Sequence, residues 1–315
     1  MKTKSAFTLA ATGLLFALAT LSWLTPAHAQ TASGSTAPQL RAKFEQLGHA
    51  LQNNDFRRPV VIESEESSGQ VRGDVYAVVD HPFSKVQQAL RDPARWCDVM
   101  ILHPNTKQCE PPPSGQSVLK VSIGKKLEQS AEDAYALNLG YSLTASAPDY
   151  FQVQLRAAEG PLGTSNYRFV VEAVAVAGRR SFIHLSYSYA SSLAGNLATK
   201  AYLATAGRSK VGFSRTGTDD QGKPAYIGGV RGAVERNAMR YYLAIDACLQ
   251  ALDAPADQRF DRRLKRFLAS MEQYPRQLHE MDSGTFLDIK RRQHERQKTG
   301  GSQASSGSRV QDGET

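Results

Sequence analysis

The chain has 315 residues, a formal charge of +8, 41% hydrophobic and 22% charged side chains, and three cysteines. Beyond Leu24 no stretch approaches the roughly 20 apolar residues of a membrane-spanning helix, so the remainder is expected to be soluble. Three cysteines and no histidine pair at ligand spacing argue against a zinc site, and no metal or cofactor is expected. The absence of G-x-S-x-G, Walker A and G-x-G-x-x-G sequences removes support for hydrolase, kinase and dinucleotide readings.

Lys2 and Lys4 precede an apolar stretch from Ala6 to Leu24 and the segment Thr25-Pro26-Ala27-His28-Ala29. A charged start, an apolar core and an A-x-A site read as a signal peptide over 1–29, which implies a periplasmic protein. The apolar stretch is also long enough to span a bilayer, so an uncleaved anchor is the alternative. Residues 30–37 are small and polar, as in a disordered tether. Residues 38–68 read as an N-terminal helix and linker, the helix carrying Leu40, Phe44, Leu47 and Leu51 on one stripe behind Pro38.

Val71, Gly73, Val75, Ala77 and Val79 alternate with polar residues as in a half-buried strand, and Pro82 opens a short helix with Phe83, Val86 and Leu90 on one face. The apolar segment Trp96–Leu102 follows, leading into a loop. From Val118 to Tyr189 alternating sets recur between turn signals at Gly124, Pro148-Asp149, Gly160-Pro161-Leu162-Gly163 and Gly178, the pattern of an antiparallel meander with one buried and one wet face. Leu193–Leu203 suits a helix and Val211–Ser214 a last strand. Gly232–Leu252 carries the broadest apolar stripe, including Val234, Ala238, Tyr241, Tyr242, Ile245 and Cys248.

The C-terminal part is a basic helical extension over 256–298, followed by a disordered Gly/Ser/Gln tail over 299–315. Within 257–274, Phe260, Leu264, Phe267, Leu268 and Met271 stand beside five basic residues. Such a helix either packs its apolar face on the domain or contacts an anionic membrane surface. Nucleic acid is not an expected partner of an exported chain. In an oxidising compartment the two cysteines nearest in sequence, Cys97 and Cys109, are expected to pair, leaving Cys248 free.

The order of strand, short helices, antiparallel strands and long helix resembles the START-like, polyketide cyclase-type helix-grip superfamily over residues 69–255. The segment Val71–Pro82 and the closing helix from Gly229 to Leu252 carry the resemblance. It implies an α+β fold in which a curved antiparallel sheet wraps a long C-terminal helix, here with extra helices at both ends. It also implies binding of a lipid or other hydrophobic small molecule between sheet and helix. Trp96, at the expected pocket mouth, the strand tyrosines Tyr135, Tyr141, Tyr187 and Tyr189, and Arg231, Tyr241 and Tyr242 from the closing helix are the candidate ligand-binding residues. His103, beside Pro104, is a further candidate, whereas His184 falls on the strand face opposite Ile183 and Leu185. A cyclase or aromatase enzyme, and a non-enzymatic interaction module with a filled core, are the alternatives; no catalytic residues stand out.

Overall fold

The computed structural model describes residues 36–191 and 210–307, with the backbone alone at Ser191 and at 299–307. The export segment, nearly all of the tether, the helix expected over Leu193–Leu203 and residues 308–315 lie outside the described residues. Helix α1 (Ala37–Gln52) starts behind Thr36, whose N–H donates to the Gln39 side chain at 2.9 Å, and places Pro38 in the first turn, where a missing N–H costs nothing.

Eight strands follow: β1 (Val60–Ser67), β2 (Gln70–Val79), β3 (Thr106–Glu110), β4 (Val118–Ile123), β5 (Tyr135–Ser146), β6 (Tyr150–Glu159), β7 (Thr164–Val176) and β8 (Arg180–Ser191). They form one antiparallel sheet in the order β1-β2-β8-β7-β6-β5-β4-β3, with α2 (Phe83–Leu90) and α3 (Trp96–Met100) between β2 and β3. Two strands were not anticipated. β1 lies in the expected linker, hidden by Glu63, Glu65 and Glu66; charges of this kind are how edge strands avoid pairing with other chains. β3 lies in the expected loop, and is too short for alternation to show.

Period-two alternation sends Val75, Ala77, Val153, Leu155, Val171, Ile183 and Leu185 to the inner face, where they meet Val234, Ala238, Met239 and Tyr242 of α4 (Gly229–Gln250) in one core. This is the helix-grip arrangement. α4 comes closest to β2 at Gly73, where an added Cβ would lie 3.2 Å from the Val234 carbonyl oxygen and 3.4 Å from Ala238 Cβ. Glu235, wholly buried, fixes the helix there: its carboxylate accepts from Ser64 Oγ at 2.5 Å, from the N–H groups of Phe213 and Ser214 at 2.6 and 2.9 Å, and from Ser214 Oγ at 2.7 Å. These bonds hold residues 211–214 in an irregular path, so the strand expected there forms later, as a hairpin of β9 (Arg215–Thr218) and β10 (Pro224–Tyr226).

The outer face is not uniformly wet. Tyr76, Val78, Tyr150, Val174 and Phe182 form a second, smaller core there beneath Leu40, Leu47 and Leu51 of α1.

After α4 come α5 (Arg259–Met271), α6 (Pro275–Leu278) and α7 (Ser283–Gly307). All five large apolar side chains of α5 are buried, and the basic side chains beside them make ion pairs such as Arg263 with Asp98 at 2.7 Å. The apolar face of 257–274 is therefore covered by the domain and is not available to a membrane. α7 runs on to Gly307, into the tail expected to lack structure, because extending a formed helix costs less than nucleating one. Deletion of residues 256–315 removes at least five core side chains, each worth about 2–5 kcal/mol, against a typical total stability of about 5–15 kcal/mol. The truncated chain is expected to lose its cooperative thermal transition; a melting temperature within a few degrees of the full chain would show that the extension is dispensable.

Cys97 and Cys109 are joined, tying α3 to β3 across 12 residues, while Cys248 is a half-buried thiol whose Sγ lies 3.5 Å from the Asp98 carbonyl oxygen. Burial pushes the Cys248 thiol up to about 12, so it is not a reactive thiolate at neutral pH. Labelling of the unfolded, unreduced protein is expected to modify one thiol. Reduction is expected to cost about 3 kcal/mol of stability, the loop-entropy value for a bridge of this span.

Candidate functional site

Between the inner face of the sheet and α4 lies a cavity of about 150 Å³. It is displaced from the Gly73 contact toward the middle of the meander. Leu137 and Leu139 of β5, Leu155 of β6, Phe169 of β7 and Met100 at the end of α3 supply its apolar wall. The polar lining residues are His103, Asn105, Tyr167, Arg168, Tyr187, Asn237 and Tyr241.

His103 is the most informative of these. Its ring stacks on Tyr241, with centroids 4.9 Å apart, and it is 5% exposed. Nδ1 accepts from the Asn105 N–H at 3.2 Å, so the neutral ring carries its proton on Nε2. Burial, together with the Arg240 and Lys290 cations, holds the pKa well below the usual histidine range, although the Asn237 side chain acts the other way. The ring is thus neutral, and its buried Nε2 makes no hydrogen bond of normal geometry among the described residues. Lys290 of α7 fixes the loop below it, donating to the carbonyl oxygens of His103 at 2.6 Å and Thr106 at 2.8 Å. Neither the Tyr187 nor the Tyr241 hydroxyl donates to another group among the described residues, while Tyr167 shares a 2.8 Å bond with Thr164 Oγ1.

The residues expected to bind ligand are dispersed more widely. Tyr187 and Tyr241 line the cavity, with ring centroids 5.4 Å apart. Tyr189 stands behind them, stacked on Tyr167 at 5.5 Å. Trp96 is fully buried edge-on to Phe169, and its Nε1 donates to the Leu90 carbonyl at 2.9 Å; Tyr141 OH donates to the Arg91 carbonyl at 2.6 Å. Both therefore satisfy free carbonyls at the C-terminal end of α2 and are not part of the cavity lining. Tyr135 opens β5 and is 52% exposed, because the strand runs past the edge of the core there. Arg231 donates to the Ser64 carbonyl at 2.7 Å and to Ser64 Oγ at 3.2 Å, joining α4 to β1. Tyr242 is buried beside Arg58 and Asp246, away from the cavity. Tyr242→Ala is expected to cost about 3–5 kcal/mol, measured by denaturant unfolding, and to leave small-molecule affinity unchanged in the protein that remains folded.

A second polar cluster occupies the outer face. His184 Nε2 lies 2.8 Å from Asp74 Oδ1, and Nδ1 lies 2.7 Å from Glu172 Oε1. Tyr76 stacks on the imidazole at 4.4 Å, Tyr150 OH donates to Glu172 at 2.7 Å, and Arg72 pairs with Asp74 at 2.9 Å. Burial opposes the charged ring, but hydrogen bonds to two carboxylates outweigh it, so the His184 pKa is raised and those of Asp74 and Glu172 are lowered. A raised histidine contributes stability that is complete below its unfolded value of about 6.5 and is lost as pH rises through the folded value; the carboxylates lose theirs only in acid. The melting temperature of wild type minus that of His184→Gln is expected to shrink as pH rises from 6.5 into the alkaline range, and a difference that stays flat would show that His184 is neutral when folded.

No family model matches the chain, and no curated protein matches it. Solved structures similar to it include a START superfamily protein from Mycobacterium smegmatis, with 12% identity, a TM-score of 0.30, and coverage of 44% of this chain and 95% of that one. Norcoclaurine synthase from Thalictrum flavum gives 12% identity, a TM-score of 0.31 and coverage of 45% and 77%. Ara h 8.0201 gives 12%, 0.32, and 61% and 99%. The sheet order and the closing helix by themselves give the helix-grip arrangement. The activity has to be argued from the site, since one fold hosts many functions.

Proposed function

We propose that the protein binds a small, mainly apolar molecule of about one ring, carrying a hydrogen-bond acceptor, in the cavity between the sheet and α4. The observation that supports this is the His103 Nε2–H, a buried donor that faces the Asn237 side chain but makes no hydrogen bond of normal geometry among the described residues. Leaving such a group unsatisfied costs about 1–3 kcal/mol, which an acceptor on a ligand recovers. Size sets the class. A cavity of 150 Å³ is of the kind that takes up benzene, and drug-sized ligands need about 300–1,000 Å³. A lipid acyl chain would need the aromatic wall to move, so the small-ring class is the better fit. Neither an acid/base pair nor a nucleophile–base pair is assembled by the cavity residues named above, which favours binding without turnover. Export to an oxidising compartment is part of the proposal, supported by the lysines, apolar stretch and Ala-His-Ala segment of residues 1–29 and by a bridged Cys97–Cys109.

The test compares acetophenone with ethylbenzene, nearly equal in shape but differing in a carbonyl acceptor, by calorimetric titration. Acetophenone is expected to bind about fivefold more tightly, the value of one net hydrogen bond of about 1 kcal/mol, with the preference reduced in His103→Phe. Because the ring is held neutral, that preference is expected to be constant between pH 6 and 8. Failure of both compounds to bind at millimolar concentration would overturn the reading in favour of a filled core.

A further inference from the structure

The strand register places three arginines in one lateral row on the outer face. Arg72 of β2 pairs with Ser188 of β8, Ser188 with Arg168 of β7, and Arg168 with Arg156 of β6. Cross-strand partners share a face, and this one is opposite the core because Leu155 and Phe169, one residue along, are buried within it. Arg168 and Arg156 thus stand directly opposite each other. Like charges in that relation destabilise a sheet, and local rules broken without a folding gain are characteristic of functional sites.

The partners are unequal. Arg72 is committed to Asp74 at 2.9 Å and lies 4.0 Å from Glu65, so the β1–β2 end of the row is partly neutralised. Arg156 donates from Nε to the Gln154 amide oxygen at 3.0 Å and has no carboxylate partner among the described residues. Arg168 makes no hydrogen bond or ion pair among the described residues, and its Nε is buried without a partner. Burial and the charges of Arg156 and Arg72 depress its pKa, as expected for a cation held among cations. Between Arg72 and Arg168, Ser188 adds a hydroxyl, while the neighbouring cross-strand positions are Gly140, Val170 and Ser186. A planar guanidinium with free donors, flanked by two more and by a hydroxyl, has the geometry that recognises a tetrahedral oxyanion.

We propose that Arg168, flanked by Arg156, Arg72 and Ser188, binds a phosphate group, carried by a soluble phosphate compound or by a lipid headgroup. The three arginines belong to the outer-face parity of the sheet, and Arg168 also borders the cavity, so Arg156 is the position that separates the two sites. The full chain is melted in inorganic phosphate and in chloride at matched ionic strength, and co-sedimented with phosphatidylcholine vesicles with and without phosphatidic acid. Phosphate is expected to raise the melting temperature above the chloride value, and Arg168→Thr to abolish that rise while melting no lower than wild type in phosphate-free, low-salt buffer. Arg156→Gln is expected to weaken phosphate binding at least fivefold and to leave acetophenone affinity unchanged, which keeps this site distinguishable from the cavity. Vesicle binding that needs phosphatidic acid and Arg168 assigns the headgroup; a phosphate shift without it assigns a soluble compound. Equal effects of phosphate and chloride with no vesicle binding, or phosphate binding retained in both variants, would overturn the proposal.

Discussion

The site depends on one close approach, the backbone of α4 against β2 at Gly73. A Cβ there would make the helix backbone give by a few tenths of an ångström, because the nearest obstacle is the Val234 carbonyl and not a side chain that can turn aside. Glu235 then locks the same end of the helix to β1 and to residues 213–214. A helix pinned to one side of a curved sheet leaves room on the other, and the cavity opens on that side, against β5, β6 and β7. The cavity is therefore a consequence of how the helix is docked. Packing density in protein interiors is high enough that a void of this size needs such a constraint to persist.

The C-terminal extension enters the same arrangement from below. Lys290 is 1% exposed, and burial drives its pKa well down, yet it donates to the carbonyl oxygens that bracket the turn from His103 to Thr106. The turn is also held by the Cys97–Cys109 bridge. His103 is positioned by a disulfide on one side and a buried amine on the other, and the amine adds to the field that keeps the imidazole neutral. The extension thus belongs to the site as well as to the core.

Alternation and helical spacing made most of the sheet, α1, α2, α4 and α5 legible, since one face of each is apolar. β1 was hidden by its edge-strand glutamates and β3 by its length. The tyrosines show where periodicity stops: Tyr135, Tyr141, Tyr187 and Tyr189 share a parity, but parity does not say how far along the strand the core extends or which ring meets a helix end. Parity groups Tyr141 with the pocket residues and the resemblance adds Trp96, whereas both donate to carbonyls at the end of α2. Asn237 and Phe169 could have been suspected, one lying a helical turn before Tyr241 and the other two residues from Tyr167. Parity puts His184 off the core face, but its burial between Asp74 and Glu172 depends on strands 110 and 12 residues away in sequence.

The polar atoms of the cavity also bear on how binding would be driven. A volume of about 150 Å³ has room for several waters, and a buried water needs about two to four polar partners. His103 Nε2, the hydroxyls of Tyr187 and Tyr241 and the Asn237 amide offer such partners in one region, whereas the wall formed by Leu137, Leu139 and Leu155 offers none. Water in the empty cavity is accordingly stable near the histidine and poorly held near the leucines. A ligand gains by displacing the poorly held water with apolar surface, and loses if it removes the well-held water without replacing its bonds. An acceptor at one end of a small apolar ring meets both conditions, while a pure hydrocarbon of equal size meets only the first.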